Sequence, residues 1–225
     1  MVPMSQKTVL SFSGGLDSGV LLYHLLDQGD EVYCLNFTYG SRHNQREQAC
    51  AREICDKLGV PFIDIELPFI HKLYQSALLQ GGEELPKGAY SEENLKQTVV
   101  PGRNTILMSI AIGFAESHKA DRIAIANHAD DHGTYPDTRP EWISSMSLVA
   151  WHGTYQRVRL YAPFTEWKKA DICRRGRELG VPFEKTWTCY DGGEIQCGEC
   201  SACRSRQQAF QVAGISDPTV YRSSK

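Results

Sequence analysis

Lys7-Thr-Val-Leu-Ser-Phe-Ser-Gly-Gly-Leu-Asp-Ser-Gly19 is the stretch that decides the fold. Lys7 to Phe12 is a short, largely apolar run that reads as a strand. Leu16 to Gln28 reads as a helix, with Val20, Leu21 and Leu25 on one face. Between them lies a glycine-rich turn, the place where a phosphate cradle forms. Glycines there let the backbone approach an anion, and free amides at a helix start stabilise its charge. Phe12, Ser13, Gly14, Gly15, Leu16, Asp17, Ser18 and Gly19 are therefore the expected nucleotide-binding residues, with Ser13 and Ser18 adding hydroxyl donors. No Gly-Lys-Ser/Thr follows, and no Gly-x-Gly-x-x-Gly is present, so neither of those two phosphate fingerprints applies. Asp17 would repel an anion unless it acts through Mg²⁺ or orients the loop by accepting backbone hydrogen bonds.

Outward from the loop the same alternation continues. Glu31 to Thr38 reads as a strand, Arg42 to Leu58 as a polar-faced helix and Val60 to Leu67 as a third strand. Strand alternating with helix predicts a doubly wound, mostly parallel α/β sheet. Gln80 to Val100 breaks the rhythm with Gly81-Gly82 and Pro86, and reads as a flexible cover or a disordered stretch. Helices are then expected over 104–117, 140–150 and 167–179, extended segments over 122–126 and 157–161, and a last short helix over 204–212. The expected division is a nucleotide-binding, catalytic domain over 1–184 and a small C-terminal segment, 185–225, packed on it.

The formal net charge of −3 supplies no basic field for holding nucleic acid by its phosphates, so no direct nucleic-acid partner is expected. No apolar run reaches the length of a membrane span and no signal-peptide pattern is seen, so a cytoplasmic protein is expected. In that compartment the eight cysteines do not read as a disulfide framework. Cys34, Cys50, Cys55 and Cys173 are scattered and read as buried apolar fillers. Cys197-Gly-Glu-Cys200-Ser-Ala-Cys203, with Cys189 upstream, has metal-ligand spacing. Four thiolates suit a closed structural zinc site, with an iron–sulfur cluster as the competing occupant.

Other segments carry candidate polar groups. In Val100-Pro-Gly-Arg-Asn104, Arg103 at a helix start suits a phosphate or carboxylate. Tyr39-Gly-Ser-Arg-His43 ends the second strand, on the edge where such sheets bind ligands. His128, Asp130, Asp131 and His132 lack helical spacing and read as a solvated polar loop. Asp137, in Tyr135-Pro-Asp-Thr-Arg139, could accept from the ring N–H and amino group of a guanine-like edge. Lys168 and Lys169 open a helix, from which one could reach ATP phosphates.

The Ser-Gly-Gly-x-Asp-Ser loop resembles that of the PP-loop ATP pyrophosphatases, which split ATP between its α and β phosphates. With Phe37-Thr-Tyr-Gly40, Arg42-His43, Val100 to Asn104, Tyr135-Pro-Asp137, Lys169, Thr186-Trp-Thr-Cys-Tyr190 and the cysteine tail, nearly the whole chain resembles one family within it, the 7-cyano-7-deazaguanine synthases of the queuosine pathway. The resemblance implies an adenine nucleotide alpha hydrolase-like fold. It also implies ATP-dependent conversion of 7-carboxy-7-deazaguanine and ammonia, through an adenylate and an amide, to the nitrile, with release of AMP and pyrophosphate. Asp17, Arg103 and Lys169 would be catalytic. Tyr39, Arg42, His43, Arg103, Asn104, Asp137 and Arg139 would bind substrate. Mg²⁺ would accompany ATP, Zn²⁺ would sit on Cys189, Cys197, Cys200 and Cys203, and the chain would form a homodimer. Thr138 stands where the family has cysteine after Tyr-Pro-Asp. That departure leaves open a relative that stops at the amide or serves another 7-deazaguanine acceptor in nucleic-acid or protein modification.

Overall fold

Successive residues of a strand point to opposite faces of a sheet, and both faces of this one are apolar. In strand β1 (Lys7–Ser11), Val9 enters one core while Leu10 enters the other. Leu35 and Cys34 divide in the same way in β2 (Glu31–Thr38), as do Ile123 and Ala124 in β4 (Arg122–Ala124). A sheet apolar on both faces requires a helical layer on each. The computed structural model, which describes residues 5–82 and 96–222, has that arrangement.

With β3 (Phe62–Glu66) and β5 (Arg159–Tyr161), the strands form one all-parallel sheet in the order β3-β2-β1-β4-β5. Helices α1 (Leu16–Asp27) and α2 (Asn44–Leu58) cover one face. On that same face lie α6 (Lys169–Glu178) and α7 (Ser201–Ala213). The other face carries α4 (Arg103–Ser117) and α5 (Pro140–His152), contributing Leu107, Met108, Ala111, Met146 and Ala150 to its core. The chain winds outward from β1 in both directions, so the strand order reverses between β1 and β4. Ligands of open α/β sheets bind in the crevice at the carboxyl ends beside such a reversal.

The expected elements are present with small shifts at their ends. A short helix not anticipated from periodicity, α3 (Phe69–Leu73), follows β3 and buries Ile70. Five residues hold too little of a helical repeat to be read from sequence. Of the expected cover, residues 83–95 lie outside the described residues. Phe210 and Ala209 of α7 sit in the same core as Leu10 and Leu21. No helix among the described residues is long and apolar enough to cross a membrane.

Candidate active site and metal centre

The glycine loop is fixed from three sides. The Phe12 amide donates to the Leu35 carbonyl at 2.8 Å, and the Asn36 amide group donates to the Phe12 carbonyl at 2.8 Å. Trp187 closes the loop from the tail, its amide donating to the Gly14 carbonyl at 3.0 Å. On the third side the loop lies directly against the first turns of α2. A Cβ on Gly14 would stand 2.6 Å from the Glu47 carbonyl oxygen, and Gly14 has φ of +78°, so only glycine fits. The Ser13 and Ser18 hydroxyls lie 3.1 Å apart across the turn.

Asp17, in the first turn of α1, faces Lys169 at the start of α6. The Lys169 ammonium donates to Asp17 Oδ2 at 2.8 Å, and the Lys169 amide donates to Asp130 at 2.9 Å. Burial pushes the Asp17 carboxyl up, but Lys169 and His128 outweigh it and hold the group well below the usual carboxylate range. The same pairing keeps Lys169 protonated against its own burial. Asp17 Oδ1 is buried and has no hydrogen-bond partner among the described residues.

His128 departs from its expected place in a solvated loop. It is 1 % exposed, with Nε2 3.3 Å from Asp131 and 3.8 Å from Asp17. Burial lowers its pKa, and the two carboxylates overcome this to give a net upward shift. The turn that follows β4 brings the buried His128 against Asp17 of α1, a tertiary contact that loop composition does not reveal.

Asp17, Asp131 and Lys169 line one cleft of about 690 Å³, with Phe12, Ser13, Tyr39, His43, Glu47, Arg103, Asn104, Thr138 and Tyr190; His128 lies behind Asp17 and Asp131 and does not line it. Arg103 donates to the Tyr39 hydroxyl at 3.3 Å, and its pKa is raised, the neighbouring Tyr39 and Asp137 overcoming the effect of burial. His43 is 3 % exposed and faces the Tyr190 ring at 5.4 Å between centroids. Burial first, then Arg103, lowers its pKa to about 4, so it is neutral at ordinary pH. The other predicted substrate residues do not line the cleft. Asp137 accepts from the Asn104 amide at 2.9 Å, tying down the start of α4. Arg139 donates to the His132 carbonyl at 2.8 Å, and Arg42 donates to the carbonyls of Ala77 and Gly82. Thr138 is buried, its hydroxyl donating to the Tyr135 carbonyl at 2.8 Å.

Two residues in this region were missed in sequence. Glu47 was hidden in a polar-faced helix, and Arg206 in the tail helix. Arg206 is 0 % exposed, paired with Asp217 at 3.1 Å, and donates to the Thr186 hydroxyl at 2.7 Å and the Phe183 carbonyl at 3.0 Å. It pins α7 to the segment that closes the glycine loop. Two signals were available for Glu47: it follows His43 by one helical turn, and it lies on the side of α2 that carries Ala51 and Ile54.

The ligand atoms of Cys189, Cys197, Cys200 and Cys203 all lie within 4.8 Å of one another. Sulfurs sharing one zinc at about 2.3 Å stand about 3.8 Å apart in a tetrahedron, and Cys197 Sγ to Cys203 Sγ is 4.0 Å. The amides of Glu199 and Cys200 point at Cys197 Sγ, at 3.4 and 3.3 Å, as they would toward a thiolate. The donor set and its spacing fit zinc. Of the four scattered cysteines, Cys34, Cys55 and Cys173 are buried; Cys50 is half-buried and packs against the metal-site cluster.

Comparison with known proteins agrees with this geometry. The family described as "Queuosine biosynthesis protein QueC" matches residues 7–214. A 7-cyano-7-deazaguanine synthase of Desulfotalea psychrophila is 44% identical over 214 residues, covering 95% of this chain and 98% of the relative. One of Porphyromonas gingivalis is 44% identical over 216 residues, covering 96% and 97%. One of Methanoregula boonei is 42% identical over 215 residues, covering 96% and 99%. Among solved structures, the U34-tRNA thiolase NcsA of Methanococcus maripaludis superposes with a TM-score of 0.53 at 15% identity, covering 92% of this chain and 65% of that one. NMN synthetase of Francisella tularensis also gives 0.53, at 14% identity, with 95% and 79% covered. At such identities the two superpositions speak for the PP-loop fold alone. On the family match and the full-length relatives, the chain belongs to the QueC family.

Proposed function

We infer that this chain carries out the family's reaction with the groups gathered at the carboxyl edge of β1 and β4. It is an ATP-dependent carbon–nitrogen ligase, a 7-cyano-7-deazaguanine synthase in activity. 7-Carboxy-7-deazaguanine is adenylated and takes ammonia to give the amide. A second adenylation, on the amide oxygen, lets AMP leave as the nitrile forms.

The observation that carries the residue assignment is the Asp17–Lys169 pair at the glycine loop, inside a cleft that Arg103 also lines. On this reading the amides and hydroxyls of residues 12–19 hold the pyrophosphate portion of ATP. Lys169 and Arg103 stabilise the charge that develops as pyrophosphate departs. Tyr39, His43 and Asn104 line the acceptor side. Asp137, Arg139 and Arg42 act by fixing the backbone around it. ATP's magnesium ion fits beside Asp17, whose Oδ1 is buried and otherwise unpartnered among the described residues. When bound, that ion neutralises phosphate charge. The zinc of the four cysteines holds the tail in place, with no open position implied for chemistry.

Two further proposals concern setting. Leu148, Val149 and Trp151 on the outer side of α5 are exposed apolar residues, which supports the expected homodimer. The reaction uses ATP and ammonia, which supports a cytoplasmic location.

Purified protein incubated with ATP, Mg²⁺, an ammonium salt and 7-carboxy-7-deazaguanine is expected to yield the nitrile, AMP and pyrophosphate by mass spectrometry. Amide as the only product would limit the chain to the first half of the reaction. Absence of substrate-dependent AMP would overturn the reading.

A further inference from the structure

Glu47 has no place in the assignments above, yet its surroundings are those of a reacting group. It lies one turn into α2 and lines the cleft together with Tyr39, His43, Arg103 and Tyr190. Its own backbone is held against Gly14 of the glycine loop, too closely for a Cβ to intervene. The base of the side chain is therefore set between the nucleotide cradle and the aromatic wall of Tyr39 and Tyr190. Its side chain is 19% exposed, with Oε2 3.7 Å from His43 Nε2. Among the described residues no side chain or amide donates a hydrogen bond to it. Carboxylates that serve structure are normally satisfied by such donors; this one opens onto the cleft.

We propose that Glu47 is the proton acceptor for the nitrogen that enters and then becomes the nitrile. The proposal rests on the ligase reading given above. In the first half, the lone pair of ammonia forms a C–N bond to the adenylate carbonyl carbon, and the C=O π pair moves to oxygen. The nitrogen is then cationic, and an N–H proton passes to the Glu47 carboxylate. The carbonyl re-forms as the C–O bond to AMP breaks, its electron pair leaving with AMP. In the second half, the amide oxygen displaces pyrophosphate from a second ATP, leaving two protons on nitrogen. Both depart through Glu47, which discharges to solvent between transfers. The pair freed on nitrogen closes the third C–N bond as the second AMP leaves with the C–O pair.

The electrostatics suit this task. Burial raises the Glu47 carboxyl to about 8, with Arg103 on α4 opposing the shift. An acceptor whose pKa lies near working pH is the efficient choice for general-base catalysis. The other titratable groups facing it are Tyr39 at the end of β2, His43 one turn before it and Cys50 one turn after it. His43 is held neutral and Cys50 is pushed up to about 11, which leaves Glu47 as the group that titrates near neutrality.

The test is Glu47→Gln, with Glu47→Asp alongside, in the zinc-loaded full chain. Adenylation is read by ATP–pyrophosphate exchange dependent on 7-carboxy-7-deazaguanine, and nitrogen transfer by amide and nitrile formation from ammonium. The expected result for Glu47→Gln is retained exchange with nitrogen transfer reduced about 10²–10³-fold, and partial recovery in Glu47→Asp. Hydroxylamine, whose cationic adduct is the stronger acid and loses its proton to water more readily, should still yield hydroxamate with Glu47→Gln. Unchanged nitrile formation in Glu47→Gln would overturn the proposal. So would parallel loss of exchange and transfer, or failure of both variants to hold zinc and fold, each of which makes Glu47 structural. A wild-type chain without exchange or AMP release would instead sink the ligase reading itself, so the two failures are distinguishable.

Discussion

The cleft and the cysteine centre both concentrate charge away from water, and they do so by opposite means. At the cleft, Asp17 from α1, Lys169 from α6 and His128 with Asp131 from the turn after β4 compensate one another. At the metal centre, four sulfur ligands come from a single stretch of fifteen residues, Cys189 to Cys203, and the cation they act on among the described residues is the exposed Arg222, which is paired with Asp191. Their compensation must come from an ion supplied from outside. A site balanced internally persists when its ligand leaves and stays ready for substrate. A site balanced by a metal is only as stable as the metal's tenure, which suits a fastener and not a catalytic centre.

The contrast breaks most sharply on removing the ion. Structural zinc contributes about 10–16 kcal/mol in isolated zinc-finger peptides, comparable to the whole stability of a typical domain. Cys203→Ser should therefore lose zinc, melt α7, release Trp187 from Gly14 and abolish activity together. Metal content, thermal unfolding by circular dichroism and the ligase assay would check this. A metal-free variant that still folds and turns over would mean that the cysteine centre is dispensable.

Arg206 is where the two regions meet, and it sharpens the comparison because its compensation is of the cleft's internal kind. Arg206→Leu leaves Asp217 without its buried partner and should cost about 3–5 kcal/mol, measured by denaturant midpoint. Replacing Asp217 by Leu as well should recover a large part of that loss. If the double variant is as unstable as the single one, Arg206 acts through packing and its bonds to Thr186 and Phe183.

Lys169→Met disturbs the cleft alone. It removes the donor to Asp17 and the cation facing the phosphates, and nitrile formation should fall about 10²–10³-fold. Zinc content and the melting profile of α7 should not follow. Equal loss of zinc would mean that the two regions are one cooperative unit.

The two regions were unequally legible in the sequence. Cys197, Cys200 and Cys203 declare themselves because a metal site built from one stretch of chain leaves its geometry in the spacing. The glycine loop reads as clearly, since strand, turn and helix start are local patterns. β1, β2 and α1 follow from apolar periodicity for the same reason. His128, Glu47 and Arg206 did not read this way. Their types usually face water, and it is the path of the chain after β4, the packing of α2 on Gly14 and the seating of α7 on residues 183–188 that bury them. Asp137 and Arg42 have chemistry that suggests ligand contacts; in the structure Asp137 accepts from the Asn104 amide and Arg42 donates to the Gly82 carbonyl.

The smallest effect is one of pH, and it separates Glu47 from every other group in the cleft. Its folded carboxyl is raised to about 8, from an ordinary value of 4.5. Between those values the folded chain keeps a proton that the unfolded chain releases, so stability falls as pH rises through that window. The slope contributed by one full proton is about 1.4 kcal/mol per pH unit, and partial exposure of the side chain reduces it below that. His128, also raised, adds a slope of the same sign starting near its ordinary value of 6.5. Asp17 does not contribute, because its depressed carboxyl titrates only in acid. His43, lowered to about 4 from 6.5, adds a slope of opposite sign in that window, in wild type and variant alike. Glu47→Gln should therefore make the change of stability with pH more positive between pH 5 and 6 than in the wild type, below the range in which His128 takes part. Urea unfolding at stepped pH measures it directly. An unchanged slope there would mean that the Glu47 carboxyl ionises in the folded chain as it does in water, and the cleft would lose the one carboxyl tuned to neutral pH.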